Sequence, residues 1–308
     1  IYAPDMGRCS FEHVPVSDGD EIELEDMLLQ VLETPGHTPE HVSYAVIDTS
    51  RGAQPTAVFC GDTLFVGDVG RPDLFPGRAV ELAESLYSSL HDKLLKLPDF
   101  CEVYPAHAAG SLCGRAMAAK RQSTIGYERT YNVALQIDDR RTFVESLTTD
   151  MPPAPDHFGR CSAINGKGPS IVSSLPTPRA LPPREFAALS KREDTLVIDA
   201  RPYAAFGGQH VAGSYSLDLA GNFPTFAGWV VPPDRDILLV TSDAAQVQEA
   251  VDWLRRVGMD RTVGYLEGSM AAWATAGLPM SHVPQLSAAE LQDAVLTRGA
   301  GKKGVAAF

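Results

Sequence analysis

Three short segments carry residue types that could do metal chemistry. They are Thr34-Pro35-Gly36-His37-Thr38-Pro39-Glu40-His41, then Cys60-Gly61-Asp62-Thr63-Leu64-Phe65, then Tyr104-Pro105-Ala106-His107. Each places a His or an Asp at the mouth of a turn, just after a short apolar run. Three ligand-type side chains could therefore converge from separate strand ends. Imidazole nitrogen and carboxylate oxygen together suit iron or zinc. A second set, Arg71, Tyr104, Cys113 and Arg129, offers cationic, phenolic and thiol groups for holding an anionic or sulfur-bearing substrate. Arg71 has a competing structural use, because Asp73 two residues on is placed for an ion pair.

The elements that must position these groups are legible in the hydrophobic pattern. Leu28 to Leu32, Val42 to Ile47, Ala57 to Phe59 and Glu102 to Tyr104 read as short strands, and Ala79 to Leu97 as an amphipathic helix with a surface His91. Residues 1–161 thus form one α/β domain. The stretch Pro152 to Pro183 is rich in Pro, Gly and Ser, and 162–180 is expected to be a linker. Strands Thr195 to Asp199, Asp236 to Val240 and Thr262 to Leu266, with the helix Ala245 to Val257 between the last two, predict a second domain with a parallel sheet over 181–282. Leu181-Pro-Pro-Arg-Glu185-Phe186 recurs in spacing as Leu286-Ser-Ala-Ala-Glu290-Leu291. Residues 283–308 therefore begin a second repeat of that domain or form a plain amphipathic helix.

Composition bounds the function. The 308 residues are 44% hydrophobic with a net charge of −13, and no Lys/Arg cluster exists to neutralise phosphates, which argues against a nucleic-acid surface. No apolar run is long enough to span a bilayer, so no membrane partner is expected. The five cysteines, Cys9, Cys60, Cys101, Cys113 and Cys161, include no C-x-x-C pair and are odd in number, which favours reduced thiols and a cytoplasmic location.

With their neighbours Gly67-Asp68-Val69-Gly70-Arg71-Pro72-Asp73, Gly110-Ser111-Leu112-Cys113-Gly114 and Ser123-Thr124-Ile125-Gly126-Tyr127-Glu128-Arg129 with Asn132, the three turns resemble the metallo-β-lactamase superfamily, and within it the persulfide dioxygenases. Ala108-Ala109 departs from that pattern, which would place Gly after the His. Asp199-Ala200-Arg201, His210-Val211-Ala212-Gly213-Ser214 and Leu266-Glu267-Gly268-Ser269-Met270-Ala271-Ala272-Trp273 resemble a rhodanese domain. The implied fold is an αββα sandwich followed by a rhodanese-like α/β domain. The family's upstream H-x-H-x-D-H motif does not occur in the chain, and residue 1 is Ile in sequence of mid-domain character, so the resemblance implies a further N-terminal segment supplying a third, His ligand.

The implied activity is oxidation of a low-molecular-weight persulfide, carried on glutathione, coenzyme A or a similar thiol, to sulfite and thiol. His37 and Asp62 would hold one Fe(II) per chain, His107 would orient water or substrate beside it, and Arg71, Tyr104, Cys113 and Arg129 would line the substrate groove. Family members commonly form homo-oligomers. Two alternatives stand: a dinuclear zinc hydrolase of the glyoxalase II type, and a catalytically inactive sulfur-binding scaffold. In the rhodanese-like part, Thr241-Ser242-Asp243-Ala244-Ala245 occupies the loop where the family carries its nucleophilic Cys, so this domain is expected to be non-catalytic.

Overall fold

A computed structural model of the protein describes residues 1–108, 113, 119–151, 154–155, 157–284 and 286–298. The chain divides into two compact units, Ile1–Pro169 and Ser170–Phe308.

The first unit is built on a six-stranded mixed sheet. From one edge to the other its strands are Ser123–Thr124, Glu102–Pro105, Ala57–Gly61, Val42–Asp48, Met27–Glu33 and Glu21–Leu24. Neighbours run antiparallel except Ala57–Gly61 and Glu102–Pro105, which are parallel and put Asp62 and His107 at the same sheet end. Two two-stranded pieces join it, Tyr2–Pro4 with Val14–Val16 and Leu64–Phe65 with Asp68–Val69. Val58, Cys60, Val103, Leu86, Leu90, Leu94, Ile125, Phe143 and Leu147 form the core, where one sheet face meets the helices.

Helical structure does run from Ala79 toward Leu97, in three parts rather than one. The α-helix Ala79–Ser88 passes into a π turn at Ser89–Lys93 and a 3-10 turn at Leu94–Lys96. Ser89 is buried at the break and donates its hydroxyl to the Pro35 carbonyl at 2.7 Å, anchoring the helix to the His37 turn. His91 is not a surface residue. Its ring stacks on Tyr87 at 4.1 Å between centroids and is half-buried.

The expected linker starts inside structure. Residues His157–Lys167 form a helix of the first unit, with His157 buried and Gly166 accepting from the Ser10 amide at 2.9 Å. Pro- and Gly-rich flanks masked a helix whose apolar contacts come from the far N-terminal segment, which local pattern does not show.

The second unit holds a parallel five-stranded sheet in the order Arg179–Leu181, Thr262–Leu266, Asp236–Val240, Thr195–Asp199, Tyr215–Ser216. The predicted strands occur as read, the helix predicted for Ala245 to Val257 runs Ala245–Arg256, and the edge strand Arg179–Leu181 begins in the last two residues of the stretch expected to be linker. The helix Ala288–Arg298 begins with a reciprocal cap, in which the Ser287 amide donates to Glu290 at 2.7 Å and the Glu290 amide donates to Ser287 at 3.2 Å. Residues 299–308 of the expected repeat lie outside the described residues, as do Gly110, Ser111, Leu112 and Gly114.

Candidate metal centre

The turn after Met27–Glu33 carries His37, and the turn after Ala57–Gly61 carries Asp62. A dense hydrogen-bond set binds the two turns together. His41 Nε2 accepts the Asp62 amide at 3.0 Å, while its Nδ1 side meets the hydroxyls of Thr34 at 2.9 Å and Thr63 at 3.0 Å. Thr63 in turn donates to the Thr34 carbonyl at 3.1 Å. This pattern assigns a neutral His41 with the proton on Nδ1. Burial pushes its pKa down to about 4, with the charge of His37 adding to the shift. His41 thus belongs to the turn's hydrogen-bond network. Gly61 and Gly70 make the close approach possible. A Cβ on Gly61 would fall 2.3 Å from His41 Nε2, and one on Gly70 would fall 1.9 Å from the Asp62 carbonyl oxygen.

His37 is buried and donates from Nδ1 to the Arg71 carbonyl at 2.9 Å, which leaves the Nε2 lone pair pointing to Asp62. The Nε2 atom lies 3.9 Å from Asp62 Oδ2, and His107 Nε2 lies 3.3 Å from Asp62 Oδ1. Burial lowers the His37 pKa more than Asp62 raises it, so the imidazole is held in the neutral form that binds metals. Asp62 Oδ1 is buried and makes no hydrogen bond among the described residues, the 3.3 Å approach of His107 being poorly directed for one. An orphaned carboxylate oxygen between two imidazoles is a donor set for a cation, and it fits a metal of the iron or zinc kind. The thiol of Cys113 completes a group with His37 and Asp62 in which the ligand atoms lie within 4.8 Å of one another.

A cavity of about 490 Å³ opens beside this centre. His37 and Cys113 line it with Cys9, Cys161, Phe11 and Phe158, so three thiols from distant parts of the chain face one space. Cys60 and Cys101 are instead sealed in the core, where burial pushes their thiols up to about 12 and about 11. Cys9, Cys161 and Phe158 were not singled out from sequence, since nothing local relates residues 150 positions apart.

The other candidates are Arg71, Tyr104 and Arg129. Arg71 is buried and forks onto Asp73, with Nε and one terminal nitrogen each 2.6 Å from a carboxylate oxygen. Its amide donates to the Cys113 carbonyl at 3.0 Å, so its place is to brace the loops around the centre. Burial would raise the Asp73 pKa, but the bond and charge of Arg71 outweigh it and hold the carboxyl below its usual range. Tyr104 donates to Glu102 at 2.6 Å, and Arg129 pairs with Asp99 and donates to the Leu95 carbonyl at 2.8 Å. The structure does not bring these two to His37.

In the second unit, Thr241 stands at the end of the strand Asp236–Val240, buried, with its hydroxyl donating to the Asp243 carbonyl at 2.7 Å. The amides that would cradle an anion are occupied by the chain itself. Ser242 N donates to Gln246 Oε1 at 3.0 Å, and the amides of Ala245 and Gln246 donate to Asp243 Oδ1 at 2.9 and 3.2 Å. Asp199 and Arg201 form a buried fork at 2.8 and 2.7 Å, and Arg201 also donates to the Gln209 carbonyl at 2.7 Å.

Comparison with known proteins agrees with this geometry. The family model described as Metallo-beta-lactamase superfamily matches residues 8–107, and that described as Rhodanese-like domain matches 182–276. A hydroxyacylglutathione hydrolase of Shewanella halifaxensis is 31% identical over 201 residues, covering 64% of this chain and 70% of that one. The mitochondrial persulfide dioxygenase ETHE1 of Bos taurus is 35% identical over 122 residues, 40% of this chain and 41% of that one. A hydroxyacylglutathione hydrolase of Hahella chejuensis is 45% identical over 94 residues, only 32% of its length. The crystal structure of a metallo-beta-lactamase from Staphylococcus aureus superposes with a TM-score of 0.73 at 32% identity, covering 83% of this chain and 72% of that one. The chain belongs to the metallo-β-lactamase superfamily and carries a C-terminal rhodanese-like domain. No helix among the described residues is long and apolar enough to cross a membrane.

Proposed function

We propose that the first unit is a metal-dependent persulfide dioxygenase that converts a low-molecular-weight persulfide to sulfite and the free thiol. One observation carries this reading: the Asp62 carboxylate, one oxygen of which has no hydrogen-bond partner among the described residues, lies between two imidazoles, and one of these, His37, lines a cavity together with three cysteines. The similarity to a persulfide dioxygenase and the union with a rhodanese-like domain support it. His37 and Asp62 would hold the metal, one Fe(II) per chain, and the metal's chemistry would be activation of dioxygen toward the terminal sulfur. One persulfide, one dioxygen and one water then yield one thiol, one sulfite and two protons.

The chain's own residues define the rest. The Arg71 carbonyl keeps the His37 proton on Nδ1, and His41 fixes the Asp62 backbone. His107, half-exposed beside Asp62, would orient water through its ring nitrogen. Phe11, Phe158 and Leu74 give the cavity apolar walls that receive the body of the thiol carrier and exclude water. Glutathione, coenzyme A and similar carriers are candidate substrates, and a homo-oligomeric, cytoplasmic protein is the setting the family resemblance suggests.

A second reading has its own observation. His107 Nε2 lies as near to Asp62 as a shared carboxylate would require for two metals, which favours a dinuclear zinc hydrolase acting on a glutathione thioester, a reading that the hydroxyacylglutathione hydrolase similarity also supports. The test is metal content and oxygen uptake of the native protein. Near one iron per chain, with uptake on glutathione persulfide and sulfite as product, is expected. Two zincs with thioester hydrolysis and no uptake would overturn the dioxygenase in favour of the hydrolase.

A further inference from the structure

One small hairpin, Leu64–Phe65 paired with Asp68–Val69, is tied to both metal donors. Asp62 precedes its first strand. After the second comes Arg71, whose carbonyl accepts the His37 Nδ1 proton at 2.9 Å. The ends of the hairpin are drawn together where the Gly70 amide donates to the Thr63 carbonyl at 3.3 Å. Whatever fixes this hairpin therefore fixes Asp62 directly and His37 through its hydrogen-bond partner.

Glu128 and Asn132 do so from the helix Ile125–Tyr131 and its C-terminal cap. Four residues apart, they share one face of the helix, and both are fully buried. Glu128 Oε2 accepts the Gly67 amide at the hairpin tip, at 2.9 Å, and also the Asn132 side-chain amide, at 2.9 Å. The same Asn132 nitrogen donates to the carbonyls of Asp68 at 3.0 Å and Phe65 at 3.4 Å, gripping both strands of the hairpin. Asn132 Oδ1 is itself held by the Ala134 amide at 3.1 Å. The helix is anchored in turn by Thr124, whose hydroxyl caps the Tyr127 amide at 3.2 Å. A buried carboxylate on a backbone tip is an expensive group to keep for packing alone, and its Oε1 has no hydrogen-bond partner among the described residues.

We infer that Glu128 and Asn132 are positioning residues for the metal centre, a polar clamp that locks the Leu64–Val69 hairpin and so sets the spacing of Asp62 and His37. The inference rests on the metal-centre reading above and names a part of the chain that touches neither metal nor substrate. Hydrogen-bond partners of ligands commonly control metal affinity by about 10- to 100-fold, and this clamp lies one link further out.

The experiment is a competition for Zn²⁺, a redox-inert probe, between a chromophoric chelator and the full chain, with melting temperature read in parallel. Glu128→Ala is expected to weaken Zn²⁺ binding by about 10-fold. Glu128→Gln, which keeps an acceptor for the Gly67 amide, is expected to recover part of that loss, and it stands alone if the alanine variant fails to fold. Phe143→Leu, a core substitution in the same unit, is expected to lower the melting temperature without changing Zn²⁺ affinity. Unchanged affinity in both Glu128 variants overturns the clamp, as does a Phe143→Leu variant that loses as much affinity at the same loss of melting temperature. A parent protein that binds no Zn²⁺ overturns the metal centre itself and the clamp with it.

Discussion

The candidate metal centre of the first unit and the loop after Val240 in the second are both turns at strand ends, but they treat their polar groups in opposite ways. At Asp62 the surrounding hydrogen bonds reach the backbone and stop, leaving one carboxylate oxygen buried and without a hydrogen-bond partner among the described residues. Around Thr241 every cradle amide named above is capped, by Asp243 or by Gln246. An arrangement kept for a ligand leaves donors that water or neighbours do not satisfy, because only the ligand offsets their burial. A binding loop that has lost its nucleophile can instead close on itself, with Asp243 seated at the start of the helix Ala245–Arg256, where the helix dipole favours its charge. Within one chain, one site is open to chemistry and the other is self-satisfied.

The largest break in this contrast would come from Asp62→Asn or His37→Ala. Either should lower retained metal by at least about 100-fold, more than the loss typical of outer partners, as measured by elemental analysis after dialysis. Acid should act through His41 in metal-free protein. Folded His41 stays neutral down to about pH 4, whereas in the unfolded chain it takes a proton near its ordinary value of 6.5. The unfolded state therefore binds more protons across that window, and stability is lost as pH falls from 6.5 to 4. At about 1.36 kcal/mol per pKa unit the loss approaches about 3 kcal/mol. Urea unfolding in chelator at the two pH values checks this, and His41→Gln should flatten the dependence. Next in size, Gly70→Ala puts a methyl against the Asp62 carbonyl and should destabilise the first unit by about 1–3 kcal/mol, seen in the same unfolding assay with the second unit's transition unmoved. The smallest effect sharpens the contrast most. Thr241→Cys alone should give no thiosulfate:cyanide sulfurtransferase activity above background, since Asp243 and Gln246 still fill the cradle. Activity from that single substitution would show that the loop had lost only its nucleophile.

Much of the fold was legible because its strands are short runs whose burial matches their apolar pattern. Val197, Ile198, Leu238, Leu239 and Val240 are buried on both faces of a parallel sheet and read as unbroken hydrophobic stretches. Legibility failed where packing is remote. The π turn at Ser89 answers to Pro35, and the helix His157–Lys167 answers to Ser10 and the cavity, so neither leaves a local signature. His37, Asp62 and His107 were readable as ligand types at turn mouths, whereas the pairings of Arg71 with Asp73 and of Tyr104 with Glu102 are side-chain choices made in three dimensions.

By itself the sequence determined the two-domain α/β plan, the family resemblance, the absence of a thiol in the loop after Val240 and the His and Asp residue types at the candidate metal centre. These depend on residue type, periodicity and motif order, which are written along the chain. Only the tertiary structure decided that Asp62 Oδ1 lacks a partner among the described residues, that Cys9, Cys113 and Cys161 share one cavity, and that Glu128 and Asn132 grip the hairpin linking Asp62 to the Arg71 partner of His37. Hydrogen-bond satisfaction and cavity walls are properties of groups brought together from distant positions, and their energies depend on the burial that folding creates.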